Sequence, residues 1–413
     1  MKPTSQRSSA SYWRVILMLM GFAALGHLNR VGISVAGSEV FIPKQGISET
    51  RMGWVYTTFL IAYTIGMLPG GWLIDRIGSV RALTLFGLTM GIFIALTGSL
   101  SWLTSSAEGL WLSLLFIRSL AGICNAPLHP GAAHAVADHV PYRSRATANG
   151  LVTAGALVGI AFSYPVYGWL MDRFGWPQAF IISGCVLIAF GLFWRWFTSP
   201  IPAGLEPDSP TESLSTSPAA WSLLRHRSLW LLALSYAAYG YFQYLFFYWI
   251  SYYLKDVLHV PAVEARWLSF WIMLAQGAGM AIGGFSTDFI CRWLGTSNGR
   301  RCIVMTGMGL GALFALLGVG GTEQNSVAIY LAISMASLGL CEGVFWTTAT
   351  DIGRRSRGFS AAFMNTGGNI GGLISPVLTP MLADSLGWPK AFAVACAIAG
   401  LGGMVWFLIK PAD

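Results

Sequence analysis

RSRATANGLVTAGALVGIAFSYPVYGWLMDRFGWPQAF (143–180) recurs without a gap as RSRGFSAAFMNTGGNIGGLISPVLTPMLADSLGWPKAF (355–392), at a constant offset of 212. The copies agree at 13 of 38 positions, where random pairing at ordinary composition gives roughly two or three. A weaker echo sets Gly70, Gly71 and Asp75 of GGWLIDRIG (70–78) against Gly283, Gly284 and Asp288 of GGFSTDFIC (283–291), offset 213. The repeat therefore covers whole halves of the chain, and any fold must present two related units.

The stretches around the repeat say what kind of unit. The 413 residues are 55% hydrophobic and 10% charged, against about 25% charged in a soluble domain. Apolar runs such as 54–74, 82–103, 178–198 and 391–409 are each long enough to cross a hydrocarbon core of about 30 Å. Twelve spans are predicted, at 13–37, 53–74, 81–102, 108–136, 145–171, 177–198, 228–254, 263–290, 302–320, 326–350, 358–384 and 388–410. Between the sixth and seventh, SPIPAGLEPDSPTESLSTSPAA (199–220) is rich in Pro and Ser and reads as a flexible linker. The expected division is a first six-helix bundle at 1–198, a cytoplasmic linker at 199–227 and a second bundle at 228–413.

The net charge of +8 is a matter of placement. With both termini inside, 17 of the 25 basic residues fall on the cytoplasmic side, including Arg76, Arg81, Arg143, Arg145, Arg300, Arg301, Arg354 and Arg355. Six, among them Arg266, fall outside, and Arg30 and Arg118 fall within spans. The positive-inside rule then orients both termini to the cytoplasm of a plasma (inner) membrane, and the basic excess gives no reason to expect a nucleic-acid partner. The polar, basic start shows no small-residue cleavage site, so no cleaved signal is expected. The six cysteines lack CxxC spacing, and His129, His134 and His139 recur every five residues, which spreads them around a helix; no metal site is expected.

GGWLIDRIGSVRA (70–82) resembles the loop between helices 2 and 3 of the major facilitator superfamily. The resemblance implies two six-helix bundles in which Asp75, Arg76 and Arg81, with Asp288 as the second-half counterpart, lock the cytoplasmic ends in one state. A tight turn with Gly78 at positive φ is the compatible local reading. HLNRVGISVAG (27–37), AYTIGMLPGGW (62–72), RSLAGICNAPLHPG (118–131) and FMNTGGNIGGLISP (363–376) are similar to the anion:cation symporter family within it. That resemblance covers nearly the whole chain and implies an organic anion or phosphate as substrate. Members pair an Asp with an Arg on helix 1, and an Arg with a Glu seven residues later on helix 4. Here the arginines are Arg30 and Arg118, but the acids are replaced by Asn29 and Asn125, and a helix 5 Gln that contacts substrate in some members falls at Ala156.

A guanidinium in a span costs about 2.5–3.5 kcal/mol on insertion scales and so faces a cavity or a partner; its planar fork suits carboxylate or phosphate. Arg30 and Arg118 are the candidate anion ligands, the alternative being guanidiniums bonded to backbone carbonyls. Arg118 and Asn125 share a helix face about 10 Å apart, and Pro127 and Pro130 should break that helix. Asn29, Asn125, Tyr63, Gln243 and Asn365 are candidates for neutral hydrogen bonds to substrate; the amides would otherwise bond neighbouring helices. His27, three residues before Arg30, and Glu342, the acid placed deepest in a span, are the candidate proton carriers. Gly155 with Gly159, and Gly367 with Gly371, read as close-packing pairs.

The expectation is a monomeric secondary transporter, not an enzyme, that carries a small organic anion by alternating access with proton symport and no cofactor. Anion exchange, uniport, and export of cationic or lipophilic compounds are the alternatives.

Overall fold

The computed structural model describes residues 9–104, 106–141, 145–198, 223–321, 323–353 and 357–409. The linker read at 199–220 lies outside them. Among the described residues the α-helices are α1 (Ser9–Ala36), α2 (Glu49–Ile77), α3 (Ser79–Leu103), α4 (Ala107–Asn125), α5 (Leu128–His139), α6 (Arg145–Phe174) and α7 (Trp176–Thr198). They continue as α8 (Arg227–Tyr252), α9 (Ala262–Leu294), α10 (Thr296–Val319), α11 (Gln324–Gly339), α12 (Glu342–Gly353), α13 (Arg357–Leu386) and α14 (Trp388–Met404). Because α4 runs into α5 and α11 into α12 as single spans, these make twelve rods. Nine are long and apolar enough to cross a membrane by length and composition; the other three, α2, α8 and α13, have 29, 26 and 30 residues.

By contact the chain forms two compact units, 1–33 with 61–211 and 34–60 with 212–413. The end of α1 and the start of α2, which chain order assigns to the first half, are thus packed with the second.

Within each unit the duplicated segment does the same mechanical task. A Cβ on Gly155 would stand 2.7 Å from the carbonyl oxygen of Met20, and one on Gly159 would collide with that of Ala24. In the second unit Gly367 and Gly371 lie against the carbonyls of Ala233 and Ala237. So α6 touches α1, and α13 touches α8, backbone to backbone, as small residues at membrane helix contacts allow. Elsewhere in the first unit, Gly87 and Gly91 of α3 meet Gly191 and Gly184 of α7, and Phe22 of α1 packs its ring on Phe86, Phe190 and Trp194. In the second unit Gly279 and Gly283 of α9 rest on the carbonyls of Ala336 and Leu340.

Four single-residue turns join helices end to end, and each is a glycine in the left-handed region: Gly78 (φ 82°), Gly175 (84°), Gly295 (78°) and Gly387 (86°). Gly175 and Gly387 differ by 212, as the repeat requires. Gly78 and Gly295 differ by 217, although the glycine pairs before them differ by 213, so α9 runs four residues, about one turn, longer than α2. The predicted break after Asn125 is present at Ala126 and Pro127. A second break, at Leu340 and Cys341, carries no proline and was not legible in the sequence. Both breaks tighten the chain through N–H to C=O bonds spanning three residues, Ala126 to Ile123 and Cys341 to Leu338.

Gly159→Ala and Gly371→Ala should each destabilise the protein by about 1–3 kcal/mol, since the neighbour that must move is backbone. Gly400→Ala, where a Cβ meets nothing within 4 Å, should be neutral or stabilising. Thermal unfolding of the purified variants in detergent separates the two outcomes.

Candidate functional site

In the first unit α1, α2, α4 and α5 bring most of the predicted polar residues together. Arg118 of α4 is fully buried, and its Nη2 donates to the backbone carbonyl of Arg30 on α1 at 3.0 Å. The carbonyl-bound alternative read from sequence is therefore met at one of its nitrogens. Arg30, also buried, has its guanidinium carbon 5.4 Å from the centre of the Tyr63 ring on α2, in cation–π range. Among the described residues, the buried set of this unit holds these two arginines and neither Asp nor Glu. That distribution makes the region electropositive within an apolar surround, where charge is weakly screened.

Asn29 and Asn125 take different roles. Asn29 is fully buried; its Nδ2 donates to the Leu25 carbonyl at 2.9 Å, and its Oδ1 accepts from Tyr167 at 2.8 Å and Ser183 at 2.7 Å. Those bonds spend both lone-pair directions of its oxygen inside the bundle and tie α1 to α6 and α7. Asn125, at 1% exposure, has an Oδ1 without a hydrogen bond among the described residues, close to Gly26 of α1.

His27 has a partner that sequence spacing did not reveal. Its Nδ1 bonds the Ala23 carbonyl at 3.0 Å, and its Nε2 lies 3.4 Å from Nε2 of His129 on α5, with ring centroids 5.1 Å apart. The break between α4 and α5 makes this possible, because it re-aims the helix that carries His129. The other histidines of α5 are engaged separately: His134 with Asp138 at 3.3 Å, and His139 with the Ala135 carbonyl at 2.9 Å.

In the second unit Gln243 of α8 and Asn365 of α13 are both half-buried. Glu342 opens α12 just after the break; its Oε1 accepts from the Tyr236 hydroxyl at 2.9 Å and from the Trp346 indole at 2.8 Å. Its Oε2, the Tyr239 hydroxyl and both amide atoms of Gln276 are buried without hydrogen bonds among the described residues. Tyr236, Tyr239 and Gln276 carried no sequence signal.

This unit also holds a buried ion pair whose partners sequence spacing does not reveal. α1 continues as a π-helical turn, Gly37–Phe41, in which Glu39 is buried. There Arg266 donates from Nε to Oε1 at 2.8 Å and from Nη2 to Oε2 at 2.6 Å, a two-point pair with both residues under 10% exposed. Among the predicted gating residues, Arg76 is exposed with its guanidinium 5.1 Å from the Trp72 ring, and Arg81 is exposed. The side chains of Asp75 and Asp288 lie outside the described residues.

Comparison with known proteins agrees with the fold and extends over most of the chain. The D-galactonate transporter of Escherichia coli O6:H1 is 26% identical over 95% of this chain and 94% of its own length. The hexuronate transporter of Bacillus subtilis is 27% identical over 86% and 85%, and the "Probable galactarate/D-glucarate transporter" of the same species is 26% identical over 89% and 84%. Among solved structures, a bacterial homolog of the human lysosomal transporter Spinster superposes with a TM-score of 0.80 at 18% identity, covering 96% of both chains. The family and these relatives are membrane transporters, and this chain is a transporter rather than an enzyme. The model of the Major Facilitator Superfamily matches residues 18–353 and 289–413, and the chain belongs to that superfamily.

Proposed function

We propose that this transporter carries small organic anions of the sugar-acid class across a cell membrane, and that Arg30 and Arg118 bind the carboxylate. The observation that carries the reading is the pair of buried guanidiniums on adjacent helices, one held to the other's backbone and the other lying over Tyr63. Arginines in a span are expensive to keep and mark a substrate path by default. Galactonate, glucarate and hexuronates, which the relatives' names print, join a carboxylate to several hydroxyls. Asn125, Gln243 and Asn365 supply neutral donors and acceptors suited to such hydroxyls, and Tyr63 contributes its ring and hydroxyl. Asn29 serves instead by holding α1 in place, since its hydrogen bonds are already made to α6, α7 and its own helix.

The cycle we propose is alternating access by a monomer with cytoplasmic termini, the first-half Asp75, Arg76 and Arg81 and the second-half Asp288 acting in gating. Coupling is to protons, through His27 or Glu342.

Uptake of labelled D-galactonate, D-glucarate, a hexuronate, sulfoacetate and phosphate into proteoliposomes, with and without a pH gradient, tests the reading. Arg118→Ala should lower uptake of the preferred anion by about 10–100-fold, the worth of a charge-assisted hydrogen bond; unchanged uptake would exclude Arg118 from the site. Uptake indifferent to an imposed gradient would rule out proton symport.

Asn29→Ala should behave differently. Removing the acceptor of two buried hydroxyls destabilises the fold by at least about 2 kcal/mol, visible as a lowered thermal midpoint, while the protein that remains folded retains its preference among the anions.

A further inference from the structure

We propose that His27 and His129 form one proton-binding dyad, and that its occupancy is linked to the anion held at Arg30. The inference rests on the anion-transport reading above. It places the coupling proton on the same two rods, α1 and α4–α5, whose two candidate acid positions are Asn29 and Asn125.

Hydrogen-bond partners assign the tautomers. A carbonyl can only accept, so the bond from His27 to Ala23 puts a hydrogen on Nδ1 of His27 and leaves a lone pair on its Nε2. Nε2 of His129 must then carry the hydrogen shared across the 3.4 Å contact. The remaining nitrogen, Nδ1 of His129, keeps a lone pair on a residue that is half-buried, whereas His27 is buried. A proton taken from water enters there. The shared hydrogen can then pass to Nε2 of His27, leaving His129 neutral with its new Nδ1–H and His27 as the imidazolium. The dyad holds one such proton, because a second would set two imidazolium rings against each other.

Arg30 supplies the linkage. It lies three residues after His27 on α1, so the two share a helix face with about 5–6 Å between Cβ atoms. A proton on the dyad adds positive charge near this guanidinium, whose backbone carbonyl accepts from Arg118. A bound carboxylate offsets that charge, so anion and proton each favour the other's binding by the same factor. Among the described residues, Asn125 of α4, Phe86 of α3 and Leu128 of α5, which border Gly26, are uncharged. Tyr63 of α2 is also neutral; further along α5, His134 pairs with Asp138, which also accepts from Ser79 of α3, and His139 bonds the backbone.

The test uses the full-length protein in proteoliposomes with labelled D-galactonate as the probe. Counterflow against internal unlabelled D-galactonate reports anion exchange without a gradient. Accumulation under an imposed gradient of one pH unit reports coupling, and one proton per monovalent anion gives about tenfold at equilibrium. His27→Gln and His129→Gln are expected to keep counterflow within threefold of wild type while accumulation falls to parity with the outside; Glu342→Gln is expected to keep accumulation. Tenfold accumulation in either histidine variant overturns the dyad, as does its loss in Glu342→Gln alone. If His27→Gln yields no folded protein, His129→Gln decides, because it leaves the Ala23 bond intact; loss of counterflow in folded His129→Gln assigns that ring to the anion and also overturns the proposal. Counterflow without accumulation in wild type removes the proton role and leaves the anion reading standing, whereas no counterflow with any anion of the panel removes both.

Discussion

Backbone-to-backbone contact through glycine is the constraint on which this structure depends. Helices surrounded by lipid gain nothing from burying apolar side chains against one another, so association needs close approach. The glycines at 155, 159, 367 and 371 supply it by removing side chains at positions where the neighbouring carbonyls leave no room for a Cβ. Within each unit the same residues set which face of α1 or α8 is covered by the later helix.

Charge is distributed over this scaffold without regard to its repeat. The first unit buries Arg30 and Arg118 and brings His27 against His129; the second sets Glu342 against Tyr236 and buries a two-point pair between Glu39 and Arg266. Each arrangement exists because a buried charge or polar atom must find a partner, and in a helical bundle partners come from other helices. The break at Ala126 and Pro127 turns α5 so that His129 meets His27. The break at Leu340 and Cys341 places Glu342 at the start of a new helix, within reach of Tyr236. Two interruptions of regular structure thus position two groups that a straight helix would carry elsewhere.

Much of this was legible in the residues. The duplicated segment, the paired glycines, the left-handed turn at Gly78 and the proline break each depend on interactions within a few residues or on a period that survives in sequence. Arg30 and Arg118 stood out because a guanidinium in an apolar span needs an explanation. The partnerships were not legible. Nothing in spacing joins residue 27 to residue 129, or 39 to 266. Asn29 and Asn125, alike in sequence as amides replacing acids, part company because only Asn29 has hydroxyls from α6 and α7 against its oxygen.

The sequence by itself determined a two-unit helical membrane protein, the places where its helices turn, and two arginines that had to be buried, because hydropathy, glycine sterics and the cost of charge act locally. Tertiary structure alone decided which polar groups share an ion pair or a hydrogen bond. Those choices belong to side chains on different helices, brought together by the angles at which the helices cross and break.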